Sequence, residues 1–178
     1  ASNYTDDSNG FHDQSFGSLT INANGTFKAS NQTTTLTSTS SNYSLFNGGT
    51  FTHNQGKIRI DFETPDYNAN SIIECDTLYD LEIELNRTTD SCILEPEGAG
   101  SAVTFLGNVK VIKGIFNDDA NGDSYEIHGQ TIIEANGKFG AHATWHTGTI
   151  THHGLVTNAG TYFTSSGTNN FNGGVRNL

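Results

Sequence analysis

A glycine followed two residues later by an aromatic recurs along this chain at a fixed interval. Lys113-Gly114-Ile115-Phe116, Asn136-Gly137-Lys138-Phe139 and Ala159-Gly160-Thr161-Tyr162 align, and their glycines keep an interval of 23, twice running. A second glycine precedes each, with its own short apolar run: Gly107-Asn108-Val109-Lys110-Val111, Gly129-Gln130-Thr131-Ile132-Ile133 and Gly154-Leu155-Val156. Asn24-Gly25-Thr26-Phe27 and Gly48-Gly49-Thr50-Phe51 repeat the theme with a spacing of 24. A fixed period of this length is the mark of a repeat architecture.

Each period holds two or three short strands, so it reads as one coil of a parallel β-solenoid. Every strand then pairs with its equivalent one coil along, about 4.8 Å away. Phe116, Phe139 and Tyr162 are expected in one stacked ladder, with Gly114, Gly137 and Gly160 at the turns beside it. Roughly seven coils at that rise make a rod about 35 Å long. The alternative is an antiparallel β-sandwich, which also has short strands and frequent turns but does not require a residue to recur at 23. Composition agrees with an all-β chain: 20 Gly, and about a third of the 178 residues Ser, Thr or Asn. Aromatic residues make up 10% and charged residues only 15%, which sets the chain apart from disordered sequences.

The net charge of -11, with only eight Lys and Arg, argues against nucleic acid and anionic membrane surfaces as partners. No apolar run reaches the length of a membrane-spanning helix. The whole chain, 1–178, reads as a single solenoid segment with an irregular middle at 62–100. That stretch holds both prolines, both cysteines and most of the acidic residues. Leu81-Glu82-Ile83-Glu84-Leu85 alternates as a half-exposed strand does, so the middle is an irregular coil or a joint, not a linker. Phe171-Asn172-Gly173-Gly174 repeats Phe46-Asn47-Gly48-Gly49. Because the earlier copy leads directly into Thr50-Phe51-Thr52, the chain is expected to stop where another coil should begin, as a fragment of a longer solenoid. An uncapped end of this kind is expected to associate end to end.

Phe46-Asn47-Gly48-Gly49-Thr50-Phe51-Thr52-His53-Asn54-Gln55-Gly56 resembles the "GTFTHNNG" repeat of large bacterial and phage surface proteins. Asp76-Thr77-Leu78-Tyr79-Asp80-Leu81-Glu82-Ile83 resembles the "tFyNLtI" strand that follows it, with Asp80 in place of the usual Asn. The resemblance spans residues 16 to 175. It implies a parallel β-solenoid adhesin or virion fibre, extracellular, at a cell surface or on a virion. The role it implies is structural and adhesive, with self-association and cell-surface glycan as partners and with no catalytic residues to carry over.

Candidate chemistry is sparse. Asp119, Asn121 and Asp123 alternate as oxygen donors do in calcium loops, although the glycine and the bidentate glutamate of an EF-hand do not fit, and a plain surface turn uses the same residues. Calcium is the one cofactor these residues suggest. His142, His146, His152 and His153, with Trp145 among them, are close in sequence but lack the converging spacing of a zinc site. His128 and His153 each precede a glycine, which suggests a repeated exposed ladder position. Cys75 and Cys92 are the only cysteines, and in an extracellular protein they fit one disulfide, with two buried thiols as the alternative. The rival function is a β-helix that binds or cleaves polysaccharide, as lyases and tailspikes do. Its carboxylates would come from Glu74, Asp76, Asp80, Glu82 and Glu84, with Arg59, Arg87 or Arg176 as cationic partner. Glu82 and Glu84 also fit the plain outer face of an amphipathic strand, and the chain is expected not to be an enzyme. Five Asn-x-Ser/Thr sequons, at Asn3, Asn24, Asn31, Asn42 and Asn86, are about the number chance alone produces.

Overall fold

The computed structural model describes residues 12–37, 43–62, 70–96, 101–118, 123–140, 148–163 and 167–178. Among these, every regular element is a β-strand and every strand pairing is parallel. The chain is a β-solenoid, and the antiparallel sandwich is excluded.

The first coil comprises β1 (Gln14–Phe16), β2 (Leu19–Ile21) and β3 (Thr26–Lys28). The second holds β4 (Thr33–Leu36), β5 (Tyr43–Asn47) and β6 (Thr50–Thr52), and the third β7 (Lys57–Phe62), β8 (Asn70–Glu74) and β9 (Thr77–Leu78). The fourth holds β10 (Asp80–Leu85), β11 (Ser91–Glu95) and β12 (Ala102–Phe105). In the fifth, β13 (Val109–Asp118) runs through a corner before β14 (Ser124–Ile127), and in the sixth β15 (Thr131–Phe139) does the same before β16 (Thr149–His152). The seventh has β17 (Val156–Asn158), β18 (Thr161–Tyr162) and β19 (Thr168–Phe171), and β20 (Val175–Asn177) opens an eighth.

These strands form three faces. On the first face Gln14, Thr34, Ile58, Leu81, Val109, Thr131, Val156 and Val175 stand in one column. Seven steps separate Gln14 from Val175, so the mean step equals the glycine interval of 23. Strands form here because side chains alternate between the interior and water. In β7, Ile58, Ile60 and Phe62 are buried while Lys57, Arg59 and Asp61 point outward. Burying each such apolar side chain contributes about 1.5–3 kcal/mol.

The second face carries the predicted ladder. Gly114 pairs with Gly137, Phe116 with Phe139, and Phe139 with Tyr162. The rings stack at centroid distances of 4.7 Å and 5.2 Å. Phe27 and Phe51 stack likewise at 6.1 Å on the third face, in register as their spacing of 24 predicts. Gly114 has φ +98°, a conformation that a side chain resists.

Strands β8 to β11 carry the same ladders through the stretch 62–100, so its described strands are coils with long corners. The step from Leu81 to Val109 is longer than the mean, and the extra length lies outside the strands. The two Phe-Asn-Gly-Gly copies are not equivalent positions. Phe46-Asn47 ends β5 on the second face, whereas Phe171 ends β19 on the third, and Gly173-Gly174 leads into β20. That motif encodes a tight corner, not a place in the coil.

Cys75 and Cys92 are both buried, unbridged thiols, which corrects the expected disulfide. The register sets Cys92 beside Ser71. Cys75 lies four residues further along that line, about 13 Å away at 3.3 Å per residue. A disulfide needs Cα atoms within about 7 Å. Cys75 instead donates its thiol to Thr77 O at 3.4 Å. Cys92 is a rung of the second-face ladder, next to Phe116. Burial pushes its thiol up to about 12, although a hydrogen bond with Ser71 acts in the opposite direction.

Candidate functional site

The residue that follows each third-face strand stands at the corner leading back to the first face. His53, Tyr79, Leu106, His128 and His153 hold this position in successive coils. Their backbones are fixed by the ladder: the Leu106 N–H donates to Leu78 O at 3.0 Å, His128 N–H to Phe105 O at 2.9 Å, and His153 N–H to Ile127 O at 2.8 Å. The side chains stack in consequence. His53 lies on Tyr79 at 5.7 Å, and His128 on His153 at 4.6 Å with 18° between ring planes. Partial burial lowers the pKa of His53. The glycine after each of the last two histidines permits this approach. A Cβ on Gly154 would overlap Gly129 O, and one on Gly129 would overlap Gly107 O.

Glu126 joins the two exposed imidazoles. It sits two residues before His128 on β14, so both side chains leave the same side of the strand. Its Oε2 is 3.6 Å from His128 Nε2. One ligand atom from each of Glu126, His128 and His153 lies within 4.8 Å of the others, and all three residues are exposed.

His152, one residue away, points inside and is fully buried. Its Nδ1 lies 2.7 Å from Thr131 Oγ1 and its Nε2 lies 2.9 Å from Tyr162 Oη. Tyr162 donates its single proton to Asn169 Oδ1 at 3.0 Å. Its hydroxyl therefore accepts from His152 Nε2–H, which leaves Nδ1 as acceptor for Thr131. Burial pushes the His152 pKa down to about 4 and raises that of Tyr162. This neutral network ties the three faces together through their interior. It removes His152 from the group of possible metal ligands, and His142, His146 and Trp145 lie outside the described residues.

The carboxylates considered for catalysis go to different places. Asp80, Glu82 and Glu84 lie on β10 of the first face, Glu74 ends β8 on the second, and Asp76 lies between β8 and β9. Arg59 binds Glu82 at 3.2 Å, Glu84 at 2.6 Å and Asp61 at 2.9 Å, while Lys57 holds Glu82 at 3.0 Å. Asp80 Oδ1 accepts the Asn108 N–H at 2.5 Å. A shallow polar cleft of about 210 Å³ adjoins Arg59, Asp61, Glu84, Asn86 and Lys113. On the second face Glu74 and Glu95 are register partners, and Tyr43 donates its hydroxyl to Glu95 Oε2 at 3.0 Å. That hydrogen bond, with burial and the charges of Glu95 and Glu74, pushes Tyr43 up to about 12.

Of the calcium candidates, Asp123 is buried just before β14, and Asp119 and Asn121 lie outside the described residues. His128 was legible only as a ladder position shared with His153, and Glu126 only as the acid that follows the Asp119, Asn121 and Asp123 alternation. The signals that join them are the Glu-x-His alternation of one strand face and the His-Gly pair repeated one coil later. No family model, no curated protein and no solved structure matches this chain.

Proposed function

We propose that this segment is a non-catalytic structural and adhesive repeat of an extracellular or virion surface fibre. The observation that carries the reading is the unbroken axial continuity of the interior. One column of inward residues runs from Gln14 to Val175, and the aromatic ladder runs beside it. Continuous parallel pairing of this kind makes a stiff rod whose faces and corners can be presented to a partner. The resemblance of residues 46–56 to surface-protein repeats supports the same role. The distribution of Glu74, Asp76, Asp80, Glu82 and Glu84 over separate places, with Arg59 and Lys57 engaging Glu82, supports an ion-paired outer face on β7 and β10.

Self-association belongs to this reading. Val175 continues the inner column but is 50% exposed, and among the described residues β20 pairs with β17 alone. An unpaired strand edge is a template for another chain. Sedimentation at rising concentration and moderate salt should show multimers that the Val175→Lys substitution suppresses. A monodisperse monomer at high micromolar concentration would overturn self-association.

Polysaccharide binding is the second reading, favoured by the half-buried aromatic stack of His53 and Tyr79 at one corner. A glycan panel, with reducing ends measured after incubation, separates the possibilities. Retention without cleavage fits an adhesive corner, whereas release of reducing ends overturns the non-catalytic assignment.

A further inference from the structure

We propose that Glu126, His128 and His153 form a surface site for a late first-row divalent cation, with Zn²⁺ as the preferred occupant, that clips the fifth coil to the sixth. Two imidazoles and one carboxylate are a donor set suited to Zn²⁺ and Cu²⁺, whereas Ca²⁺ and Mg²⁺ favour oxygen donors alone. Three protein ligands leave a fourth tetrahedral position for water.

The geometry is close to what a bound ion needs. Ligand atoms around a tetrahedral Zn²⁺ at about 2.0–2.1 Å lie about 3.4 Å from one another. Glu126 Oε2 and His128 Nε2 are already 3.6 Å apart, and all three ligand atoms fall within 4.8 Å. The imidazole lone pairs lie in the ring planes and the two rings are 18° from parallel, so binding must unstack His128 from His153 by side-chain rotation, for which the exposure of all three residues leaves room. The backbone needs no movement, since ladder hydrogen bonds pin both histidines one coil apart. The stacking of His128 on His153 is itself a product of the fold: a whole coil of chain separates them, and only the register of β14 with β16 brings them together. The ion therefore binds the folded chain in preference to the unfolded one, and it stabilises the fold by linkage. The net charge of -11 concentrates all cations near the surface. The imidazoles discriminate among them.

The test is calorimetric titration of the metal-free 178-residue chain with Zn²⁺, alongside H128Q, H153Q, E126Q and the H128Q/H153Q double variant. H53Q serves as the control for a corner histidine outside the cluster. One Zn²⁺ per chain is expected, with affinity at least tenfold weaker in each single histidine variant, weaker in E126Q, and unchanged in H53Q. Free Zn²⁺ at a hundredfold excess over its dissociation constant should raise the melting temperature by about 5–10 °C. Cu²⁺ bound at the same site should show two nitrogen donors by electron paramagnetic resonance. All three ligands are exposed, so the metal-free variants should melt like the parent, which separates lost binding from lost folding. Zn²⁺ binding that survives intact in H128Q/H153Q, or no binding at millimolar Zn²⁺, would overturn the site.

Discussion

The second-face inner ladder changes character halfway along the rod. In the third and fourth coils its rungs are Ser71 and Cys92; in the fifth, sixth and seventh they are Phe116, Phe139 and Tyr162. The small rungs adjoin an interior filled by aliphatic residues such as Ile60, Ile73, Ile83 and Leu94, all fully buried. The large rungs adjoin Phe105 and Tyr125, which meet Phe116 edge-on at 6.2 Å and 6.4 Å, and beyond them the His152 network. One coil geometry thus accommodates two fillings, an aliphatic one whose small rungs bond one another, Ser71 Oγ to Ser44 Oγ at 2.6 Å, and an aromatic one that carries the His152 network. Strand pairing fixes the spacing between coils, and the side chains need only fill the space.

The contrast is most sharply tested by truncating equivalent rungs. Phe139→Ala removes a ring that stacks on Phe116 and Tyr162 and touches His152, and it should cost about 3–5 kcal/mol in urea unfolding. Cys92→Ala, one step below Phe116 in the same ladder, should cost about 1 kcal/mol because few atoms are lost. Equal losses would mean that the ladder is not divided in this way.

Acid should act on the aromatic half. His152 titrates near 6.5 when unfolded and at about 4 when folded, so between these values the unfolded chain binds more protons. Its contribution is fully present above pH 6.5 and is lost as pH falls through about 4. About 3 kcal/mol is at stake. Urea midpoints at pH 7 and pH 4.5 should differ in the parent, and the difference should shrink in His152→Phe. An unchanged pH slope in that variant would remove the buried histidine as the cause.

Corner geometry gives a somewhat smaller effect. Gly154→Ala drives a methyl into Gly129 O, which forces adjacent coils apart at the turn. A loss of about 2 kcal/mol is expected, and tolerance of alanine there would show that the corner yields.

The outer face of the aliphatic half carries an ion-pair cluster on β7 and β10. Arg59→Ala deletes the ion pairs to Asp61, Glu82 and Glu84, all partly exposed on the Arg59 side. The cost should be about 1 kcal/mol in low salt and should fade in about 1 M salt. A salt-independent loss would point to packing by the arginine stem instead. The smallest effect expected is none: reducing agent should leave the melting temperature unchanged, because Cys75 and Cys92 are too far apart in register to be bridged. A drop on reduction would break the register assigned to β8 and β11.

The amino-acid sequence by itself determined the coil. Residues one coil apart stack on their own equivalents, so Gly114, Gly137 and Gly160, and the aromatics beside them, had to recur at the coil length. The outward direction of Glu82 and Glu84 was equally legible from alternation, but the burial of Glu82 beneath Lys57 and Arg59 was not. Register and facing were decided only by the tertiary structure. The spacing of Cys75 and Cys92 along the chain cannot tell whether they meet, because corner lengths vary and the step from Leu81 to Val109 exceeds the mean coil. His152 and His153, adjacent in sequence, are not one group, since successive residues point to opposite faces: His152 turns into the core and His153 leaves it at the corner. The partners of His153 come from the previous coil, placed by interstrand hydrogen bonding about 4.8 Å along the axis rather than by proximity in the chain.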